Sequence, residues 1–146
     1  MQEADHILIP LLDGRHALAQ VARVERGRAL LMVSDRISAP KAKVQPLMAD
    51  DVVAKVVVAP SDIPAGHWPT IGYDAVPRIA AFRDISLPTE DATDLAIVEA
   101  LANALHGLYP WDGFPEPDFF VAFLRDNQAI PAKARMTAQM PKPDSP

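Results

Sequence analysis

The sequence contains no cysteine, only six glycines, and no apolar run long enough to cross a membrane. Without cysteine there can be no disulfide and no thiolate metal ligand, which agrees with a reducing compartment. The longest apolar runs, at 7–12 and 56–60, fall far short of the roughly 20 residues that span a bilayer. The N-terminus begins with a polar stretch, so we expect no secretory signal, no membrane association and a cytoplasmic location.

The sequence also lacks the motifs of metal, nucleotide and acyl-transfer chemistry. The four histidines form no pair at metal-ligand spacing, no serine lies in a strand-turn-helix elbow, and the isolated glycines form no phosphate loop. We therefore expect no metal, no cofactor and no catalytic residue. One alternative is a small hydrolase or transferase, in which His106 and Asp112 or Glu116 supply an acid–base pair between helix and sheet. A histidine beside Gly107 is more often a residue at the helix C-terminus, where a positive charge interacts favourably with the helix dipole.

The length and composition are typical of one globular domain. The chain has 146 residues, of which 49% are apolar and 23% charged, enough to bury a single core. Fifteen prolines favour short elements joined by stiff connections. We expect one α+β domain over residues 1–135 and a flexible, proline-rich tail at 136–146.

The N-terminal part has the pattern of an antiparallel sheet. Asp13-Gly14 and Arg26-Gly27 separate three apolar runs, which predicts a three-stranded meander, because type I′ turns need positive φ angles. A β-branched run predicts a buried strand at Val52–Val58, and the segments 67–73 and 78–85 are further candidate strands. We expect a strongly curved sheet or half-open barrel of five to six antiparallel strands.

The C-terminal part has the pattern of helices packed on that sheet. Thr89 or Asp91 is the predicted N-cap of one main helix, which Gly107 ends in a left-handed conformation. Its apolar face should cover the sheet and consists of Leu95, Val98, Leu101, Leu105 and Leu108. The opposite stripe consists of Glu99, Asn103 and His106. A second, short helix is predicted to begin at Pro117 and to include Phe119, Phe120, Phe123 and Leu124.

Negative charge is concentrated in one segment. Residues 86–126 carry eight acidic side chains against Arg125 alone, whereas residues 1–85 are balanced. The same segment contains Tyr109, Trp111 and Phe114, and acidic charge beside aromatic rings is typical of a protein interface. The predicted partner-binding residues are Trp111, Asp112, Phe114, Glu116 and Asp118. Such a surface would repel nucleic acid. The alternative interpretation is that the acids solvate a surface helix while the aromatic rings fill the core.

Residues 7–21, with the sequence ILIPLLDGRHALAQV, resemble the opening of the immunity protein 26 family. Members begin with an apolar strand, an IPL sequence, a DG turn, and a second strand ending in GQV or similar. A second likeness is Trp68-Pro69-Thr70-Ile71-Gly72, which is similar to a W-x-x-x-G strand that leads to a proline, here Pro77. The resemblance implies a cytoplasmic protein of a bacterial polymorphic toxin system, which binds and neutralises a toxin.

These observations predict a non-catalytic immunity protein whose partner is a protein toxin. Many such toxins attack nucleic acids and carry basic clefts, so a nuclease is a suitable partner for an acidic surface. A third hypothesis is an oligomerising interaction module in which prolines and aromatic rings pair subunits. The predicted oligomeric state is a monomer or a homodimer.

Overall fold

Five antiparallel strands form one open sheet in the computed structural model, which describes residues 1–41, 43, 45–82, 85–126 and 128–141. The strands are β1 (Asp5–Pro10), β2 (His16–Glu25), β3 (Arg28–Ser38), β4 (Val52–Val58) and β5 (Thr70–Tyr73). Their order across the sheet is β4-β3-β2-β1-β5. The predicted α+β class and meander are therefore confirmed. In the part of the chain that is described, β4 and β5 are opposite edges and do not pair, so the sheet is not closed into a barrel.

The two hairpin turns of the meander differ in type. Arg26 and Gly27 both have positive φ angles, of 48° and 76°, and join the directly paired Glu25 and Arg28. This is the geometry of a two-residue type I′ turn. At Asp13-Gly14 only the glycine has a positive φ angle, of 86°, and its N–H donates to the Leu11 carbonyl at 3.1 Å. The prediction of a turn was correct there, but the connection is a longer loop in which only one position needs glycine.

Both faces of the sheet are covered. On one face, the helix α1 (Leu95–Leu105) packs its buried Val98, Leu101 and Leu105 against the apolar side chains of β1 to β4, as the leucine spacing predicted. On the other face, loop residues around Ile79 and Leu87 cover Leu30 and Met32 of β3. A further loop places Leu47 over Leu8 and Leu18. The central strands consequently carry apolar side chains on both faces.

Helix α1 begins later than predicted. Its N-cap is Asp94, whose side chain accepts a hydrogen bond from the Ala96 N–H at 3.0 Å, and not Thr89 or Asp91. Just before it, the Thr93 N–H donates to the Val57 carbonyl at 2.7 Å, which keeps the chain extended along the edge of β4. Because of that contact, the helix begins only at Leu95. Its predicted end is confirmed, because Gly107 follows with a φ angle of 75°.

The second predicted helix is a short 3-10 helix. It comprises Phe119–Phe123, and Pro117 lies before it. Immediately afterwards Leu124 forms an isolated bridge with Ala54, and the Arg125 N–H donates to the Val53 carbonyl at 3.1 Å. The chain must reach the edge of β4 within a few residues, so no full α-helical turns develop.

The predicted strand at 78–85 was wrong. Ala80–Phe82 is a 3-10 helix, and residues 83 and 84 lie outside the described residues. Ile79 and Phe82 are both buried in the same cluster. Residues three apart share one side of a 3-10 turn, whereas in a strand they point to opposite faces. Of the other candidate, 67–73, only Thr70–Tyr73 is a strand.

Part of the predicted tail contacts the domain. Met136 packs against the main core, and the Thr137 N–H donates to Asp112 Oδ1 at 2.7 Å. Thr137–Gln139 forms a 3-10 turn. Residues 142–146 of the predicted tail lie outside the described residues, so its flexibility stays a prediction. Among the described residues, none of the helices combines the length and the apolar character that a membrane span requires.

Replacing Gly107 with alanine should destabilise the fold. A Cβ at this position would overlap the Lys133 carbonyl oxygen, and the φ angle of 75° is unfavourable for any L side chain. We expect Gly107→Ala to lower the free energy of unfolding by about 3 kcal/mol, of which about 1–2 kcal/mol is backbone strain. Urea denaturation measures the loss.

Gly66→Ala is the matched control for this substitution. Gly66 has a similar φ angle, of 78°, but open space around its Cβ position. Gly66→Ala should lower the free energy of unfolding only by the cost of backbone strain, about 1–2 kcal/mol. Equal losses for the two variants would contradict a steric role for the contact between Gly107 and Lys133.

Candidate functional site

Three phenylalanine side chains form a row at the edge of the main core. Phe114, Phe119 and Phe123 are each partly buried, and successive ring centroids lie 4.5 Å and 5.7 Å apart. Phe120 is fully buried and lies edge-on to the first two rings. We call Phe114, Phe119 and Phe123 the phenylalanine row. Stacked and edge-to-face contacts order these rings while part of each stays exposed to solvent.

Exposed carboxylates lie at both ends of the phenylalanine row. Glu116 and Asp118 are exposed in the loop that joins its first two rings. At the other end, Glu90 and Asp91 line a groove of about 170 Å³ together with the third ring. Lys55 of β4 also lines this groove and partly offsets the negative charge. Within the described residues, none of the four carboxylates takes part in an ion pair.

Trp111, a predicted partner-binding residue, is buried. Only 2% of its surface is exposed, and its ring lies 5.4 Å from that of Phe120. A buried indole has no surface to offer a partner unless the chain rearranges. The aromatic rings of this segment therefore divide into two groups: Trp111 and Phe120 fill the core, and the phenylalanine row lies at its edge.

Asp112, another predicted partner-binding residue, holds the chain that follows Arg135. Its Oδ1 accepts hydrogen bonds from the backbone N–H of Thr137 at 2.7 Å and from the Thr137 hydroxyl at 2.8 Å. These bonds, the backbone one most of all, hold the pKa of the Asp112 carboxyl below its ordinary value. Of the five predicted residues, the structure thus leaves Glu116 and Asp118 exposed and Phe114 partly exposed. Whether they bind a partner stays a prediction.

His106 does not meet the carboxylates that an acid–base site would need. The residue is only 7% exposed, and neither ring nitrogen has a hydrogen-bond partner in the described part of the chain. Burial, and then the positive charge of Lys133, lower the pKa of His106 from 6.5 to about 4. Asp112 Oδ1 instead accepts hydrogen bonds from Thr137. His106 therefore forms neither of the predicted pairs, with Asp112 or with Glu116.

A different histidine and carboxylate do come together. The His67 Nε2 atom lies 2.5 Å from Glu99 Oε1, and the Trp68 indole N–H donates to the same oxygen at 3.0 Å. His67 and Glu99 are 32 positions apart, and no sequence spacing signals the pair. The His67 side chain is 41% exposed. These contacts fasten the loop before β5 to the middle of α1.

The stripe of α1 that was expected to face away from the core is partly buried. Asn103 is 4% exposed, and its side-chain oxygen accepts a hydrogen bond from the Leu12 N–H at 2.8 Å. Its amide group donates to the Glu99 carbonyl at 2.8 Å. His106 is buried one turn further on. The prediction was wrong here because the loop between β1 and β2 reaches over the helix.

The described residues contain no group of three histidine, aspartate or glutamate side chains close enough to hold a metal ion. Comparison of the chain with protein-family models, with curated proteins and with solved structures gave no match. The resemblance to the immunity protein 26 family therefore stays a hypothesis.

Stability should fall as the pH drops from 6.5 towards 4, in part because of His106. In the unfolded chain an imidazole takes up a proton near pH 6.5, whereas in the folded protein His106 stays neutral down to a pH of about 4. The stability that His106 gives above pH 6.5 is lost across this window, up to roughly 3 kcal/mol. Urea denaturation at several pH values measures the slope.

His106→Leu should flatten that slope, because leucine takes up no proton in either state. The wild-type chain is the reference, since His6 is also buried with a lowered pKa and adds its own slope to both proteins. If the two proteins lost the same stability between pH 6.5 and pH 4, His106 would not be the group responsible.

Proposed function

We propose that this chain is an immunity protein, which binds a bacterial toxin stoichiometrically and neutralises it without catalysis. The observation that carries the proposal is the phenylalanine row with exposed carboxylates at both ends. Ordered aromatic rings lose little conformational entropy on binding, and they supply apolar contact area. The resemblance of residues 7–21 to the opening of the immunity protein 26 family supports the same function.

The charge of the surface favours a cationic partner. Four carboxylates around the phenylalanine row have no ion-pair partner among the described residues, so their charge is available to a partner. Complementary charge accelerates association and disfavours partners of like charge. A nuclease toxin has a basic cleft for its substrate, and an acidic surface would cover it. The proposal therefore includes a protein toxin, with no nucleic acid, membrane or cofactor bound by this surface.

The N-terminal motif serves the fold in this proposal. Ile7 and Ile9 are buried beneath the helix, and Leu8 is buried on the opposite face of β1. Side chains inside the core cannot contact a partner. The interface is accordingly assigned to the C-terminal segment, in a chain that acts in the bacterial cytoplasm as a monomer or a homodimer.

Co-expression with the product of the neighbouring gene tests the function directly. We expect that product to be toxic when expressed alone, to be tolerated with this chain, and to co-purify with it at equal stoichiometry. A neighbouring product without toxicity, or toxicity that this chain does not relieve, would count against the proposal.

Charge reversal locates the interface. Glu116→Lys with Asp118→Lys should weaken toxin binding at least tenfold, chiefly through slower association, because both carboxylates flank the phenylalanine row. Surface plasmon resonance at two salt concentrations measures the effect. The control is Glu3→Lys with Asp62→Lys, which changes the net charge equally at exposed residues elsewhere. An equal loss in the control would mean that only net charge matters, and the assigned surface would be wrong.

A further inference from the structure

A cationic cleft lies outside the surface described above. It has a volume of about 590 Å³ and opens where β2 begins and β3 ends, with the loop after β3 as its other wall. Arg15, His16, Arg36 and Lys43 all line it. No aspartate or glutamate is among the described residues that line it. Asp13 and Asp51, which lie outside the lining, each pair with one of the two arginines, so the excess positive charge of the cleft comes from Lys43 and the unpaired guanidinium nitrogens.

Both arginine side chains are held so that part of each guanidinium stays free. The Arg15 Nε atom donates to Asp13 Oδ2 at 2.6 Å. The Arg36 Nη1 atom donates to the Pro46 carbonyl at 3.2 Å and lies 3.6 Å from the Asp51 carboxylate. In the described part of the chain, the remaining guanidinium nitrogens of both residues make no hydrogen bond that would occupy them. Oriented guanidinium groups with free N–H donors suit the geometry of a phosphate group.

The remaining walls supply the other parts of a binding site. Ser38, at the end of β3, adds a hydroxyl group, and Lys43 adds an exposed ammonium. Ile37 and Pro40 give the cleft an apolar side. A ligand with an anionic head and an organic body would use both kinds of wall, since small-molecule sites combine apolar lining with a few polar groups.

We propose that this cleft binds a small organic phosphate monoester, with Arg15, Arg36 and Lys43 around the phosphate group and Ile37 and Pro40 against the organic group. The proposal is independent of the toxin-binding function, because the cleft shares no residue with the phenylalanine row or its carboxylates. Either can fail while the other stands.

Titration of the full ¹⁵N-labelled chain with phenyl phosphate, at constant ionic strength, tests the cleft. Saturable NMR shifts are expected at the amides of His16, Ile37 and Ser38. Inorganic phosphate and phenol are titrated in parallel and should each bind at least fivefold more weakly. Absence of saturation with phenyl phosphate would overturn the site, and inorganic phosphate that bound equally well would overturn the assignment to an ester.

Variants assign the binding to the cationic side chains. Arg15→Gln with Lys43→Gln should weaken phenyl phosphate binding at least tenfold, and Arg36→Gln is a second, separate test. Arg78→Gln changes an exposed arginine outside the cleft and should bind within twofold of the wild type. The spectra also report whether each variant is folded. An equal loss in Arg78→Gln, or no loss in folded variants of the cleft, would overturn the proposal.

Discussion

The sheet of this protein is covered on both faces, and the other features of the structure depend on that double burial. Apolar side chains of β1 to β3 face α1 on one side and loops on the other. Burial of apolar area is the main source of stability in a domain of this size, and only two covering layers can bury both faces. The single helix covers one face. The proline-rich loops, with little regular structure, must therefore cover the second face.

Double burial also explains why several polar groups lie inside. His6 and Gln20 are opposite each other on β1 and β2, and both are fully buried. The Gln20 amide donates to the backbone carbonyls of Ala4 and Asp74, which fastens the segment after β5 to the sheet. Burial lowers the pKa of the His6 imidazole below its ordinary value. Gln20 secures this connection through its hydrogen bonds, whereas the ring nitrogens of His6 have no partner among the described residues, so the burial of His6 is a desolvation cost.

The same packing creates the acidic and aromatic surface that we propose as the binding surface for a toxin. Trp111 and Phe120 enter the core beside α1, and the remaining rings of the segment are held at its edge. The short 3-10 helix then returns the chain to β4, which places the third ring beside the loop that carries Glu90 and Asp91. An acidic and aromatic surface is thus assembled from two segments that are distant in sequence. The cationic cleft is formed by other residues, which belong to the meander and to the loop that follows it.

Local sequence patterns predicted the features that depend on local chemistry. The β-branched run predicted Val52–Val58 to the residue, and the two glycine-containing turns separated the first three strands, because both signals act within a few positions. Gly107 ended the helix for the same local reason. The negative charge of residues 86–126 was also evident from the sequence, because it follows from the number of acidic and basic residues alone.

Which side chains of each segment are covered depends on long-range packing. Trp111 and Phe114 are three positions apart in one loop, yet Trp111 is interior and Phe114 is at the edge, because the Trp111 ring packs against Phe120 within the main core. Asn103 is buried because the loop between β1 and β2 packs over it, and Ala80–Phe82 is a 3-10 helix that directs Ile79 and Phe82 to the same cluster. Burial depends on the elements that arrive from elsewhere in the chain, and no local pattern contains that information.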